Sequence, residues 1–340
     1  MARESHIVEW ICILLGVGFF AFMGGVFLVS GVRDVWRALA SAGWPRVPAE
    51  VIRSEVTSEA SRDPDGSTNT MYTARLLFAY EVAGQSYTTD RIRFGEALGS
   101  GDPSEPQLQL LRYPEGARVS VAYDPDNPAV ATARPGLRPG ALVPSVAALG
   151  LLLFGGIIFL TGRFFLSNAP VLPVLFRLFA LVFIFIGLAM GFTGAMNLYF
   201  GRASRHWPSV SGEVVYQQGD QVRSRWQDSE GRMQTAISHS TSIVYSYPVD
   251  GITHYANNRR WGQLAAAGAG WAADIAARYP AGAAVEVRYD PVDPDRAVLE
   301  PGFNSDVLWL PLAGLAFLLF GMAFWIWGIP AFTRKWGPGG

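Results

Sequence analysis

The sequence is poor in the residues that most chemistry needs. A chain of 340 residues holds one cysteine and four histidines, and only 16% of its residues are charged. Cys12 lies inside an apolar run, so it can neither close an internal disulfide nor assemble a thiolate metal site, and no other cysteine is present to act as a nucleophile. His6, His206, His239 and His254 are scattered, with no His-Glu-x-x-His, and neither a Walker loop nor Gly-x-Ser-x-Gly occurs. The 27 basic and 28 acidic residues leave a formal charge of -1, which gives no electrostatic pull toward nucleic acid. The sequence therefore assigns no catalytic residue, no cofactor and no metal ligand, and a chain without enzymatic activity is expected.

Apolar residues, by contrast, make up half the chain and are bunched rather than periodic, the compositional mark of membrane spans. Four runs reach the roughly 20 residues that a helix needs to cross a hydrocarbon core of about 30 Å. They predict an N-terminal tail and first span over 1–30, then spans over 141–161, 178–200 and 307–329, with a short loop at 162–177 and a tail at 330–340. None has a Lys, Arg, Asp, Glu or His in its interior. The first run is read as an uncleaved anchor: it is long, Arg3 is mixed with Glu4 and Glu9 ahead of it, and no small-x-small cleavage site follows promptly. Four spans place the segments 31–140 and 201–306 on one side of an inner or plasma membrane. The basic flanks are nearly balanced, with Arg33, Arg37, Arg134, Arg138, Arg202 and Arg205 facing Arg3, Arg163, Arg177, Arg334 and Lys335. Weighting the short loop and tail over the long segments favours a non-cytoplasmic side for both domains.

The two long segments repeat each other. Trp44-Pro45 returns as Trp207-Pro208; Tyr80 and Gly84 return as Tyr247 and Gly251; Tyr113, Tyr123 and Pro135 return 166 residues later as Tyr279, Tyr289 and Pro301. Each unit is helix, domain, helix, so the copies are parallel, unlike the inverted repeats of many transporters. Within a unit the pattern is β. Strands are expected at 49–56, 72–82, 86–94 and 118–123, and at 212–216, 237–249, 253–258 and 284–289. Asp250-Gly251 reads as a two-residue hairpin turn, with Gly84 keeping the glycine in the first copy. Segments 57–70, with Asp65-Gly66 at the tip, and 219–235 read as long hairpin loops, and 263–278 as a short helix with a poorer counterpart at 107–112. The fold class expected is thus a mixed membrane protein: four transmembrane helices and two small, mainly β domains, each a barrel or sandwich of about five or six strands with one helix.

Val-x-Val-x-Tyr-Asp-Pro ends the last long strand of each copy, as Tyr123-Asp124-Pro125 and Tyr289-Asp290-Pro291. Asp124 with Asp126, or Asp290 with Asp293, would suit acid–base work or calcium. A turn fits better, because Asp accepts a backbone N–H two residues on, Pro fixes φ, and the calcium-loop spacing is missing. Trp44 and Trp207, just past a span, suit the headgroup boundary. Arg91 and Arg259, with Tyr87 and Tyr255, are read as scaffold. Gly187 and Gly191 form a small-xxx-small face for helix packing, within the chain or between chains.

The run Tyr-x-Val-x-Gly, then Tyr-Pro-x-Gly-x-x-Val-x-Val-x-Tyr-Asp-Pro-x-x-Pro and a Pro-Gly leading into a span, resembles a widespread bacterial family of membrane-anchored domains of unknown function. Residues 44–136 and 207–302 carry the resemblance, the second copy more cleanly. It implies fold and membrane setting and brings no activity. The partners expected are the lipid bilayer and a protein partner or a second copy of the chain, with no nucleic acid. The leading functional expectation is a non-catalytic binding or scaffolding module at the membrane surface. A channel or transporter component is the alternative, opposed by spans free of ionisable residues, and a membrane-bound hydrolase using Asp124 or Asp290 is a third.

Overall fold

The computed structural model describes residues 2–62, 68–95, 99–137, 139–167, 172–227, 232–262, 269–303 and 305–328. Its helices are α1 (Ala2–Ser41), α2 (Ser104–Arg112), α3 (Val143–Ser167), α4 (Leu172–Ala203), α5 (Ala269–Arg278) and α6 (Trp309–Ala323). The chain divides into a helical unit, residues 1–42, 135–195 and 308–340, and a β unit, residues 43–134 and 196–307.

Four helical stretches, Leu14–Ser41, Pro144–Thr161, Arg177–His206 and Ser305–Ile326, are long and apolar enough to cross a membrane. In the helical unit their outward faces carry exposed Leu15, Phe22, Val29, Phe192 and Leu312, the reverse of a water-facing surface. Glycines set the packing distance. A Cβ added to Gly31 of α1 would lie 2.7 Å from the backbone nitrogen of Ser145 in α3, and one added to Gly24 would lie 2.7 Å from Leu152 Cγ. Between α4 and α6 the backbones themselves touch: a Cβ on Gly187 would lie 2.6 Å from Leu318 N, and one on Gly314 would lie 2.5 Å from Gly191 N. Such approaches maximise van der Waals contact where lipid supplies no hydrophobic drive for helices to associate.

In the β unit, the first copy comprises β1 (Arg46–Arg62), β2 (Thr68–Val82), β3 (Gln85–Thr89), β4 (Gly99–Ser100), β5 (Arg118–Tyr123) and β6 (Ala131–Thr132). The second comprises β7 (Ser209–Gln227), β8 (Met233–Val249), β9 (Ile252–Ala256), β10 (Ala284–Tyr289) and β11 (Ala297–Val298). All pairings are antiparallel, in the order β3-β2-β1-β5-β6 and β9-β8-β7-β10-β11. Ala133 and Arg134 past β6 donate to the carbonyls of Arg91 and Ile92 past β3, and Glu300 donates to the carbonyl of Arg259, so each sheet curls back onto its first edge. Each encloses one core: Val51, Leu76, Phe78, Tyr80, Ile92 and Val121 in the first copy, Val214, Ile243, Tyr245, Tyr247, Ile275 and Val287 in the second.

Both β2–β3 and β8–β9 hairpins turn on two residues with positive φ, Ala83 (51°) with Gly84 (78°) and Asp250 (49°) with Gly251 (79°), the geometry of a type I′ turn. The expected loops at 57–70 and 219–235 are instead mostly ladder. β1 pairs with β2 from Thr57↔Thr73 out to Arg62↔Thr68, and β7 with β8 out to Gln227↔Met233. Ser58 to Ser61 are exposed on both faces of the first ribbon, so hydrophobic alternation did not mark that strand. Asp65-Gly66 and 263–268 lie outside the described residues, as do loop positions 168–171 and the tail from 329. Helix α1 continues past the expected boundary at 30 to Ser41. A bridge at Thr68↔Arg223 joins the two sheets into one of eleven strands.

Candidate functional site

The Tyr-Asp-Pro turns close on their own backbone. Asp124 Oδ1 accepts the N–H of Asp126 at 3.0 Å, and Asp290 Oδ1 accepts that of Val292 at 3.0 Å. The other oxygen of Asp290 takes Arg296 Nη1 at 2.8 Å, while Arg296 Nη2 reaches Asp293 at 3.1 Å and the guanidinium lies 4.5 Å from the Phe200 ring centre. A buried tyrosine braces each turn from the core: Tyr80 donates to the Pro128 carbonyl at 2.7 Å and Tyr247 to the Pro294 carbonyl at 2.5 Å. Burial first, then the neighbouring Tyr87, raises the Tyr80 phenol; burial also dominates at Tyr247, against Arg112, which lowers it. Both phenols therefore remain protonated donors. Pro125 and Pro291 follow the capped carboxylates, and Tyr123 and Tyr289 donate their N–H groups to the carbonyls of Pro45 and Pro208, which tie the Trp-Pro start of each domain to its last long strand.

The second copy carries a carboxylate cluster. Glu300 takes Arg259 Nη1 at 2.8 Å, the Tyr279 hydroxyl at 2.9 Å, Arg260 and, at 3.4 Å, Arg278. Arg259 is buried and lies 5.2 Å from the Trp271 ring centre. Burial raises the Glu300 carboxyl, but hydrogen bonds and charge from Arg259, Tyr279 and Arg260 outweigh it and hold the group below its ordinary range. In the first copy Ile92, Arg112, Tyr113 and Arg134 occupy the positions of Arg259, Arg278, Tyr279 and Glu300, since Arg134 N–H meets the Ile92 carbonyl as Glu300 N–H meets that of Arg259; the Arg91 match to Arg259 is therefore shifted by one residue. The central carboxylate has become a cation.

That reversal is used between the copies. Arg134 and Arg112 of the first copy both face Asp295 of the second, Arg112 at 3.9 Å, and His254 Nδ1 lies 2.9 Å from the same carboxylate. All four side chains are three-quarters or more buried. Arg112 also donates to the Tyr255 carbonyl at 2.7 Å. At the other end of α2, Ser242 donates to Asp102 Oδ1 at 2.6 Å, and Asn257 Nδ2 donates to Ser104 Oγ at 3.1 Å and Glu105 Oε1 at 2.9 Å. Burial, then Arg112 and Arg134, lower the pKa of His254 against the opposing Asp293 and Asp250 carboxylates. A neutral ring donating from Nδ1 to Asp295 fits that balance. Asp295 aligns with Ala129, so the hub is asymmetric: one copy supplies the cations and the other the anion.

The remaining sequence-predicted residues serve the scaffold. Tyr113 packs edge-on against Phe78 at 5.3 Å. Trp207 is buried edge-on against Trp261, and Trp44 is half-buried against Phe94, so in this fold both rings meet the domain's own aromatics. Gly84 and Gly251 form the hairpin turns. Gly187 faces α6, whereas a side chain on Gly191 would point into open space; only its backbone receives Gly314. Sequence reasoning missed Asp295, Arg112 and Arg134, and it missed Ser41 and Ser204. Each buried serine accepts the N–H of the closing glycine, Gly136 at 3.0 Å and Gly302 at 3.1 Å. The signal was there: Ser41 and Ser204 are spaced as Trp44 and Trp207 are. Among the described residues no group of three or more His, Cys, Asp or Glu side chains could hold a metal ion.

A family described as Domain of unknown function (DUF3592) matches residues 47–138 and 210–304, one segment in each copy. No curated protein matches the chain.

Proposed function

We propose a scaffolding role for a chain that belongs to the DUF3592 family, domains of unknown function carried here in two tandem copies. It is read as a multi-pass protein of a bacterial inner or plasma membrane that holds both β domains on the non-cytoplasmic side, as a binding surface without catalysis. One observation carries this reading. In both copies one oxygen of the signature carboxylate, Asp124 or Asp290, caps its own turn, and Arg296 takes the other oxygen of Asp290. An acid–base or nucleophilic carboxylate needs a free oxygen aimed at a substrate, whereas a turn cap needs what these two have. The residues shared by the copies therefore maintain a shape, and the surface around that shape is left to recognise a partner.

The purified full-length chain in liposomes is expected to pass ions and small solutes no faster than empty vesicles. A photo-crosslinking residue at Val292, which is 90% exposed at the tip of the second Tyr-Asp-Pro turn, is expected to capture a discrete protein in native membranes. Flux through the liposomes contradicts the role, and so does the lack of any partner captured at Val292.

A further inference from the structure

The contact between the copies is head-to-tail. It uses the outer edge of β2 from the first copy, at Thr68, and the outer edge of β7 from the second, at Arg223; Tyr72 and Gln218 approach across the same seam at 3.5 Å. β2 corresponds to β8 and β7 to β1, so the joined edges are different edges of one repeated domain. A contact of that kind does not satisfy itself: each used edge has an unused counterpart on the other copy.

Those counterparts are available as strand edges. Among the described residues, β1 has β2 on one side along 53–62 and no strand on the other, and β8 has β7 on one side along 235–240 and no strand on the other. Long unpaired edges expose a row of N–H and C=O groups that template pairing with another chain. We infer that the outer edge of β8 in one molecule pairs antiparallel with the outer edge of β1 in a second copy of this chain, repeating between molecules the seam that joins the two domains within one.

The register follows from the ladders. Val56 pairs with Ala74 and Gly219 with Thr241, so Val56 corresponds to Gly219 and Ala60 to Arg223; Thr68 corresponds to Thr235. Thr235 of one molecule therefore meets Ala60 of the next, and both are exposed. The charged hub is not repeated. The positions of Asp295, His254 and Arg134 are held by Ala129, Tyr87 and Glu300 in the roles they would play between molecules. Backbone pairing without that hub gives a contact weaker than the internal one, formed reversibly at the density of chains within a membrane.

The test uses the full chain with Cys12→Ser, made as two single-cysteine variants, Ala60→Cys and Thr235→Cys, mixed in liposomes and mildly oxidised. Cβ atoms facing each other across an antiparallel pair lie close to disulfide reach. The mixed dimer is expected in clear excess over either homodimer, and replacing Ala60→Cys with Ser61→Cys, which points to the opposite face, is expected to abolish it. A Thr68→Cys, Arg223→Cys double variant is expected to close within one chain. The inference is overturned by a statistical mixture of dimers, by homodimers in excess, by monomers alone, or by failure of the intrachain bond on which it is patterned.

Discussion

Asp295→Ala gives the second copy the residue that the first already carries at Ala129, and it leaves Arg112 and Arg134 face to face without their shared carboxylate. Removing one partner of a desolvated pair costs about 2–5 kcal/mol, much of it the penalty on the charge left behind. Here Asp295 is 18% exposed and Arg134 25%, which puts the expected loss near the lower end, about 2–3 kcal/mol. Arg134→Ala should cost less, because Arg112 and His254 still face Asp295. The double variant removes both charges and should cost less than the two losses added together, with a coupling of at least about 1 kcal/mol. The readout is native-state hydrogen exchange of the full chain in detergent, following amides of α2 and β9, whose opening reports separation of the copies. Losses that add to within about 0.5 kcal/mol would refute a direct Arg134–Asp295 interaction. So would protection lost equally throughout both cores, because the change would then be unfolding and not undocking.

Gly314→Ala should destabilise the α4–α6 pair by about 1–3 kcal/mol, because the new methyl has backbone on two sides, whereas Gly191→Ala should be silent in the same detergent melt. Ala83→Asn should stabilise the first hairpin by up to about 1 kcal/mol, since Ala83 holds φ 51° where the second copy has Asp250; Gly251→Ala should cost about as much, read by thermal unfolding. Two pH effects are expected. Glu300 has a folded pKa below 4.5, so its contribution is complete above that value and is lost as pH falls through the depressed one; Glu300→Gln should remove this acid step from the unfolding profile. His254 has a folded pKa below 6.5, so the unfolded chain takes up the proton first and stability declines as pH falls below 6.5; His254→Asn should flatten that decline.

Much of the scaffold was legible because the chain states it twice. Tyr123-Asp124-Pro125 and Tyr289-Asp290-Pro291, Gly84 and Gly251, and the apolar runs all carry local physics: a turn cap, a positive φ, a bilayer's thickness. The first ribbon was not legible, because Ser58 to Ser61 are all exposed and no buried face imposes alternation there. The hub escaped for the opposite reason. Asp295 against Ala129 and Arg134 against Glu300 are the places where the repeat fails, and in one sequence a failed match looks the same as drift. Only folding the copies against each other brings the two mismatches together as an ion pair. The packing role of Gly187 could be read from composition, but which glycine turns its missing side chain toward the neighbouring helix depends on helix rotation, which the sequence does not fix.

The most direct test of the account is the sidedness of three single cysteines in a Cys12→Ser chain: Ser58→Cys in the first ribbon, Thr235→Cys in the second, and Asn168→Cys in the short loop between the second and third spans. An impermeant maleimide applied to intact cells should label 58 and 235 alike and reach 168 only after the membrane is opened. Labelling of 58 and 235 from opposite sides, or of all three from one side, contradicts four spans with both domains on the same face.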